Sequence, residues 1–168
     1  ISLLENALAH SSFANERWHN SLRSNERLEF LGDSILGMVV AEYLYRNFPD
    51  RPEGELTRMR ADMVCETSLA AIAVQLGLGK HLLLGHGEER FGGRSRASIL
   101  ADAVESVIAA SYLDGGMEAA TKYIMGFMVD QIEHTKSNFR NLDCKTHLQE
   151  VIQKISKVPL KYAIVDEQ

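Results

Sequence analysis

Residues 25–36 read NERLEFLGDSIL and place three carboxylates on one side of an otherwise apolar helix. At about 100° per residue, Glu26, Glu29 and Asp33 fall within about 60° of arc, and the leucine and isoleucine side chains cluster elsewhere. Carboxylates that are crowded together repel and raise one another's pKa unless a positive charge lies nearby. The pattern therefore favours a cation at this face of the helix.

A second acid pair follows in residues 98–110, which read SILADAVESVIAA. Asp102 and Glu105 are three positions apart, so they share a face of a helix that is otherwise small and aliphatic. An acid at the boundary of a core is costly without a partner. Each pair alone could equally form a solvated helix face with salt bridges. Small residues, Gly32 and Ala101 among them, would however let the two acid faces pack closely.

Oxygen-only clusters of this kind suit magnesium better than zinc or iron, because Mg²⁺ is bound by one or two carboxylates together with water and phosphate oxygens. No histidine or cysteine lies at metal-ligand spacing near the acids. The two clusters together therefore point to phosphate-ester chemistry.

The same blocks resemble the bacterial ribonuclease III family, whose signature is similar to residues 26–36. The resemblance covers nearly all of residues 1–136. It extends to residues 4–12, 48–49, 53–60, 84–88 and 99–105. It implies a catalytic set of four acids that binds Mg²⁺, with Mn²⁺ as a substitute: Glu29, Asp33, Asp102 and Glu105.

The resemblance also implies a catalytic valley that receives the RNA. Glu26 and Glu53 match two further acids that line this valley, where they assist RNA engagement more than the chemistry. We assign Arg58 and Arg60 to the same valley, because phosphates are neutralised mainly by basic side chains. These arginines reconcile a formal net charge of −5 with a nucleic-acid substrate.

Phe30 lies beside Glu26 on the helical wheel and away from the apolar side, so we expect it to point out of its own core. The resemblance implies a homodimer in which this aromatic side chain enters a pocket of the partner. Two acid clusters related by a two-fold axis would match the two strands of an RNA duplex.

The implied reaction is metal-dependent hydrolysis of phosphodiester bonds in double-stranded RNA, to 5′-phosphate and 3′-hydroxyl ends with short 3′ overhangs. The expected role is the processing of rRNA precursors and mRNA in the cytoplasm. Recognition should rest on the A-form shape, the phosphates and the 2′-hydroxyls. Ser34 has no Ser/His/Asp arrangement around it, so no side-chain nucleophile is expected.

Three other classes of protein carry related patterns of acids. A catalytically idle RNA-binding protein should have lost some of the four acids, and none is lost here. An all-helical nucleoside-triphosphate pyrophosphohydrolase should carry its second pair as ExxD, whereas Asp102 and Glu105 stand in the opposite order. A di-iron helical bundle needs Glu-x-x-His pairs, which the chain lacks.

With 168 residues and 45% hydrophobic content, the chain can form one ordinary domain and a small appendage. No membrane segment or signal peptide is visible, and because the chain opens at Ile1 we expect a native N-terminus further upstream. Cys65 and Cys144 lack the spacing of a disulfide framework or a zinc site. Cys65 reads as a small core residue.

We expect an all-α fold of the ribonuclease III endonuclease type over residues 1–137. The predicted helices cover residues 3–9, 25–48, 55–76, the acid-pair segment up to 114–116, and 117–134. Residues 85–96 are rich in glycine and charge and predict a mobile loop. Residues 138–168 should be a linker and a truncated α/β double-stranded-RNA-binding fragment, with a strand at 159–165 and first-helix residues Lys145, Thr146, Gln149 and Glu150.

Overall fold

The computed structural model describes residues 2–16 and 23–155, with side chains described up to residue 128 and again at Ile132 and Ile152. Within these residues the architecture is all-α, as the sequence predicted. The helices are α1 (Leu3–Ala7), α2 (Ser11–Glu16), α3 (Glu26–Asn47), α4 (Glu53–Met63), α5 (Glu66–Gln75), α6 (His86–Arg90) and α7 (Ala97–Ile155). Two single 3₁₀ turns lie at Leu78–Lys80 and Gly93–Ser95.

Helix α3 carries the acid-rich signature and matches the predicted helix over residues 25–48. Its first turn holds Glu26 and Glu29, which interact favourably with the positive end of the helix dipole. It ends at Asn47, because the backbone of Phe48 leaves the helical region just before Pro49. One face of the helix is buried through Leu28, Ile35, Leu36, Val39, Val40 and Leu44.

The single helix predicted over residues 55–76 is wrong, because two helices, α4 and α5, occupy this region. Cys65 lies at the joint with an extended backbone, φ −70° and ψ 157°. Its thiol and the hydroxyl of Ser68 both donate to the carbonyl of Asp62, at 3.2 and 2.9 Å. Such local bonds compete with the helix ladder. Cys65 is therefore a half-buried residue at the N-cap position of α5 and not the core residue that we expected.

Residues 85–96, which we predicted to be a mobile loop rather than a packed element, contain regular structure. They contain α6 and a 3₁₀ turn, and the guanidinium of Arg94 donates to the carbonyls of Gly79 and Leu82, at 3.0 and 2.9 Å. The same side chain forms an ion pair with Glu89 at 2.6 Å. One arginine thus satisfies carbonyls of a neighbouring segment and anchors the turn.

Helix α7 is interrupted at Gly116, whose φ of 73° and ψ of −171° are not helical. The predicted end of the acid-pair helix at residues 114–116 is confirmed, since glycine adopts positive φ without steric cost. Residues 138–141, which we expected to be a link between helices, lie inside α7. The chain divides into two compact units, Ile1–Gln131 and Ile132–Gln168.

The RNA-binding fragment predicted at residues 138–168 stays a prediction. Its expected first-helix residues, Lys145, Thr146, Gln149 and Glu150, have helical backbone, but their side chains lie outside the described residues. The expected strand at 159–165 also lies outside them. None of the helices in the described part of the chain combines the length and the apolar character needed to cross a bilayer.

Candidate active site

Three carboxylates converge between α3 and α7. Glu29 comes from the first turn of α3, and Asp102 and Glu105 come from the beginning of α7. One oxygen of each lies within 4.8 Å of the other two, and all three side chains are half-buried. The structure thus brings together three of the four acids that the sequence singled out, from segments about 70 residues apart in the chain.

The convergence depends on a close approach of the two helix backbones at Gly32. A Cβ atom added there would overlap the carbonyl oxygen and carbon of Glu105. Only glycine fits such a contact, because overlap with backbone cannot be relieved by a rotamer change. The buried side chains of Ala103 and Ala109 on α7 are also small. The small residues therefore hold the acid-bearing turns together.

The electrostatics of the cluster are those of uncompensated negative charge. Burial, followed by the nearby carboxylates of Asp33, Asp102 and Glu29, raises the pKa of Glu105 to about 7. Burial and then the charge of Asp102 raise the pKa of Glu29. Burial raises the pKa of Asp102 as well. In each case burial is the first cause and a neighbouring carboxylate adds to it, and no positive charge in the described part of the chain offsets them.

Asp33, the fourth predicted acid, is exposed and lies one turn beyond Glu29 on α3. It does not contribute an oxygen to the group of three. Its charge nevertheless raises the pKa of both Glu29 and Glu105, so it lies at the rim of the cluster. Glu26 is also exposed, accepts a hydrogen bond from Ser24 Oγ at 2.8 Å and raises the pKa of Glu29.

The remaining predicted valley residues lie on α4 and are not part of the three-acid group. Glu53 is exposed and accepts a hydrogen bond from Thr57 Oγ1 at 2.8 Å. Arg58 and Arg60 are exposed. Glu53 and Arg60 line a surface pocket between α3 and α4. These side chains are exposed and available to a ligand, but in the single chain they do not join the three-acid group.

Glu66 is an acid near the cluster that the sequence reasoning missed. It opens α5, is exposed, and its charge raises the pKa of Asp102. Its position becomes evident only once α4 is known to end at Met63 and α5 to begin after Cys65. Because we read residues 55–76 as one continuous helix, Glu66 had no reason to stand out.

Two further residues of α3 behave as the sequence suggested. Ser34 donates its hydroxyl to the carbonyl of Phe30 one turn earlier, at 3.3 Å, as helical serines commonly do. The side chain of Phe30 is 78% exposed, so it does point out of its own core.

The donor chemistry of the three-acid group fits a divalent cation. It offers hard oxygen ligands, with no histidine or cysteine among them. Half-buried carboxylates with raised pKa values are the groups that gain most from a bound positive charge. The arrangement is therefore compatible with metal-assisted chemistry.

Known proteins are similar to this chain in both sequence and fold. The profile of the Ribonuclease-III-like family matches residues 1–132. Ribonuclease 3 of Desulforamulus reducens is 49% identical over 166 residues, which cover 99% of this chain and 68% of that protein. Ribonuclease 3 of Symbiobacterium thermophilum is 48% identical over 167 residues, which cover 99% of this chain and 70% of that protein.

Solved structures agree. The nuclease domain of ribonuclease III from Campylobacter jejuni, which has a region involved in dimer formation, superposes with a TM-score of 0.69 at 43% identity. That match covers 75% of this chain and 84% of the other. Dicer from Pichia stipitis superposes with a TM-score of 0.61 at 28% identity, covering 82% of this chain and 58% of that one. On these matches, the chain belongs to the ribonuclease III family of endoribonucleases.

Proposed function

We propose that this chain cuts double-stranded RNA by metal-dependent hydrolysis of phosphodiester bonds, with Mg²⁺ held by Glu29, Asp102 and Glu105. The observation that carries the proposal is the meeting of these three carboxylates within 4.8 Å. Mn²⁺, which prefers the same oxygen ligands, should substitute. Asp33, exposed at the rim of the cluster, would be the fourth acid to hold the ion.

The protein side chains hold and orient rather than attack. When bound, the cation supplies Lewis-acid activation of water and neutralises charge on the phosphate. The half-buried positions of Glu29 and Glu105 limit solvent access, which strengthens their interaction with a cation. The hydroxyl of Ser34, beside Asp33, is bonded to the carbonyl of Phe30 on its own helix, and we assign the role of nucleophile to water. The products then carry 5′-phosphate and 3′-hydroxyl ends.

Duplex recognition falls to exposed groups outside the cluster. Arg58 and Arg60 are exposed on α4 and can pair with phosphates, while Glu26 and Glu53 line the approach. Side chains cannot read the narrow major groove of A-form RNA, so recognition follows shape, phosphates and 2′-hydroxyls. Binding should therefore weaken steeply with salt and depend little on sequence.

Two copies of the chain form the working enzyme. Phe30 is exposed beside the acid face, and the large apolar side chains of Met38 and Tyr45, further along α3, are exposed as well. Large aromatic side chains in such positions are typical anchors of interfaces. A homodimer presents one acid cluster to each strand and leaves short 3′ overhangs. The expected substrates are rRNA precursors and mRNA in the cytoplasm.

The test is the digestion of a defined RNA duplex with Mg²⁺ and with EDTA, followed by analysis of the fragment ends. We expect cleavage only with the metal, and fragments with 5′-phosphates. A single-stranded RNA and a nucleoside triphosphate serve as comparison substrates. A duplex that stays intact with Mg²⁺, or a triphosphate hydrolysed in its place, would overturn the proposal.

A further inference from the structure

Two polar side chains are buried close in sequence to acids of the cluster. Asn25, which precedes α3, is 2% exposed, and Ser106, which follows Glu105 on α7, is fully buried. Among the residues that the structure describes, these are the buried polar side chains. A buried polar group is costly unless it is hydrogen-bonded, so the bonds that these two residues make are informative.

The hydroxyl of Ser106 bonds to the first turn of α3. Its Oγ donates to the backbone carbonyl of Asn25 at 3.3 Å. The same carbonyl accepts the first backbone bonds of α3, from the N–H groups of Leu28 and Glu29 at 2.8 and 2.9 Å. A side chain on α7 is thus tied to the turn that carries the first acid of the cluster.

Asn25 is fixed from the other side as well. Its side-chain Nδ2 donates to the carbonyl of Ala7 at 3.3 Å, and its backbone N–H donates to the carbonyl of Ala9 at 2.8 Å. Sliding of α3 along α7 would therefore break these bonds as well. The start of α3 is held relative to both α1 and α7.

The apolar contact around this point is built mostly from small side chains. Its buried cluster consists of Leu28 with Ala7, Ala109 and Ala110, and the partly buried Leu31 and Val107 pack against it. Alanine surfaces are smooth and interlock weakly, whereas a hydrogen bond has a direction and a length. The three acids meanwhile repel one another and push α3 away from α7. The hydrogen bond of Ser106 adds a directional contact to the close packing at Gly32 in opposing that force.

We propose that Ser106 is a positioning residue whose hydrogen bond to Asn25 holds α3 and α7 in the register at which Glu29 and Glu105 share a cation. This inference rests on the proposed function. It assigns no contact between Ser106 and the metal or the RNA. The hydroxyl acts only through the two helices that present the carboxylates.

The test compares Ser106→Ala with Ser106→Cys, which keeps a weak donor of similar size, and with Ser111→Ala, a partly buried serine on the same helix. The affinity of the full chain for Mn²⁺ is measured by calorimetry without RNA, and urea unfolding is measured in EDTA. We expect Ser106→Ala to bind Mn²⁺ about tenfold more weakly, as when a residue that orients metal ligands is lost. Ser106→Cys should fall between, and Ser111→Ala should match the parent.

A merely structural role would lower the urea midpoint and leave the affinity of the folded protein unchanged. That result, or parental Mn²⁺ affinity in both Ser106 variants, would overturn the inference. The proposed function would stand in that case if the parent cuts duplex RNA. If Ser106→Ala does not fold, Ser106→Cys decides the matter by the same affinity criterion. A parent chain that binds no Mn²⁺ would instead overturn the proposed function and this inference with it.

Discussion

Among single residues, Glu105 is the acid of the cluster whose pKa is raised to about 7. It is half-buried, close to Asp102 and Glu29, and burial is the largest cause that raises its pKa to about 7. A carboxyl with such a pKa is nearly balanced between its two forms at neutral pH. It therefore responds strongly to a bound cation, to pH and to the loss of its charge.

Replacing Glu105 by Gln should stabilise the metal-free protein at pH 8. The folded pKa of about 7 lies above the ordinary 4.5, so the stabilising contribution of this group is present below about pH 4.5 and is lost as the pH rises through 7. The amide does not titrate and avoids this loss. The gain should be on the order of 1–2 kcal/mol, less than the full shift implies because the group is partly solvated.

Urea unfolding in EDTA at pH 5 and pH 8 measures this effect, with the exposed Glu118→Gln as the matched control. The advantage of Glu105→Gln should shrink at pH 5, where the parent carboxyl is protonated in the folded state. Equal pH dependence in parent and variant would show that the carboxyl of Glu105 is not perturbed.

The same pKa predicts competition between protons and metal. A carboxylate must be deprotonated to bind Mg²⁺, so the affinity should fall as the pH drops below 7. Between pH 8 and pH 6, the Mg²⁺ concentration for half-maximal duplex cleavage should rise about tenfold, the proton competition expected for one group with this pKa. Single-turnover cleavage over a Mg²⁺ titration checks it. A half-saturating concentration that does not move with pH would argue against Glu105 as a ligand.

Sequence reasoning found the acids by helical spacing, and the structure brings Glu29, Asp102 and Glu105 together. It could not rank Asp33 at the rim, because spacing fixes the face of a helix and not the distance to another helix. It also missed Glu66, whose position near Asp102 depends on where α5 begins. Distances between segments far apart in the chain are set by packing.

At the scale of elements, the contact of α3 with α7 decides the geometry of the site. Gly32 permits it, because a side chain there would overlap the carbonyl of Glu105. The sequence suggested this contact through its small residues. The same style of reasoning failed for α4 and α5, where the periodicity ran unbroken across Cys65 and local hydrogen bonds ended the helix.

Gly32→Ala should destabilise the protein by about 1–3 kcal/mol, the usual cost of overpacking, and should reduce cleavage because the acid-bearing turns separate. Gly37→Ala is the matched control on the same helix, since a Cβ there meets nothing within 4 Å. That control should gain stability through helix propensity, by about 0.5–1 kcal/mol. Urea unfolding of the three proteins measures both effects, and equal behaviour of the two variants would contradict the close contact.

The prediction of a mobile loop over residues 85–96 relied on their content of glycine and charged residues. The anchoring of Arg94 on the carbonyls of Gly79 and Leu82 depends on a partner segment that composition does not reveal. The stop of the acid-pair helix at Gly116 was predictable, because positive φ is a local property of glycine. Features set by a residue's own backbone preference could therefore be predicted from the sequence. Features that depend on contacts with a distant segment could not.

At the scale of the whole molecule, an acidic chain must bind an anionic polymer. The net charge is −5, and the acid cluster contributes part of it. On the proposed function, bound divalent cations would reverse the local sign of the potential, and the exposed arginines of α4 would supply phosphate contacts. Duplex binding should therefore depend on both Mg²⁺ and ionic strength.

Phe30→Ala should weaken self-association at least tenfold, because a central aromatic anchor typically contributes about 2 kcal/mol or more to an interface. Phe91→Ala is the matched control, since Phe91 has the same exposed fraction of 78% as Phe30 but lies beyond α6. Sedimentation over a range of concentrations measures both. An unchanged dimer in Phe30→Ala, or equal losses in the two variants, would contradict the assignment of Phe30 to the dimer interface.

If acids from α3 and α7 share one divalent ion, anomalous diffraction from crystals soaked in Mn²⁺ will locate that ion between the two helices. We predict a manganese peak within about 2.5 Å of oxygens from Glu29, Asp102 and Glu105, the reach of oxygen-ligated divalent cations. The peak should vanish in Glu105→Gln. A peak elsewhere, or an unaltered peak in that variant, would contradict the claim.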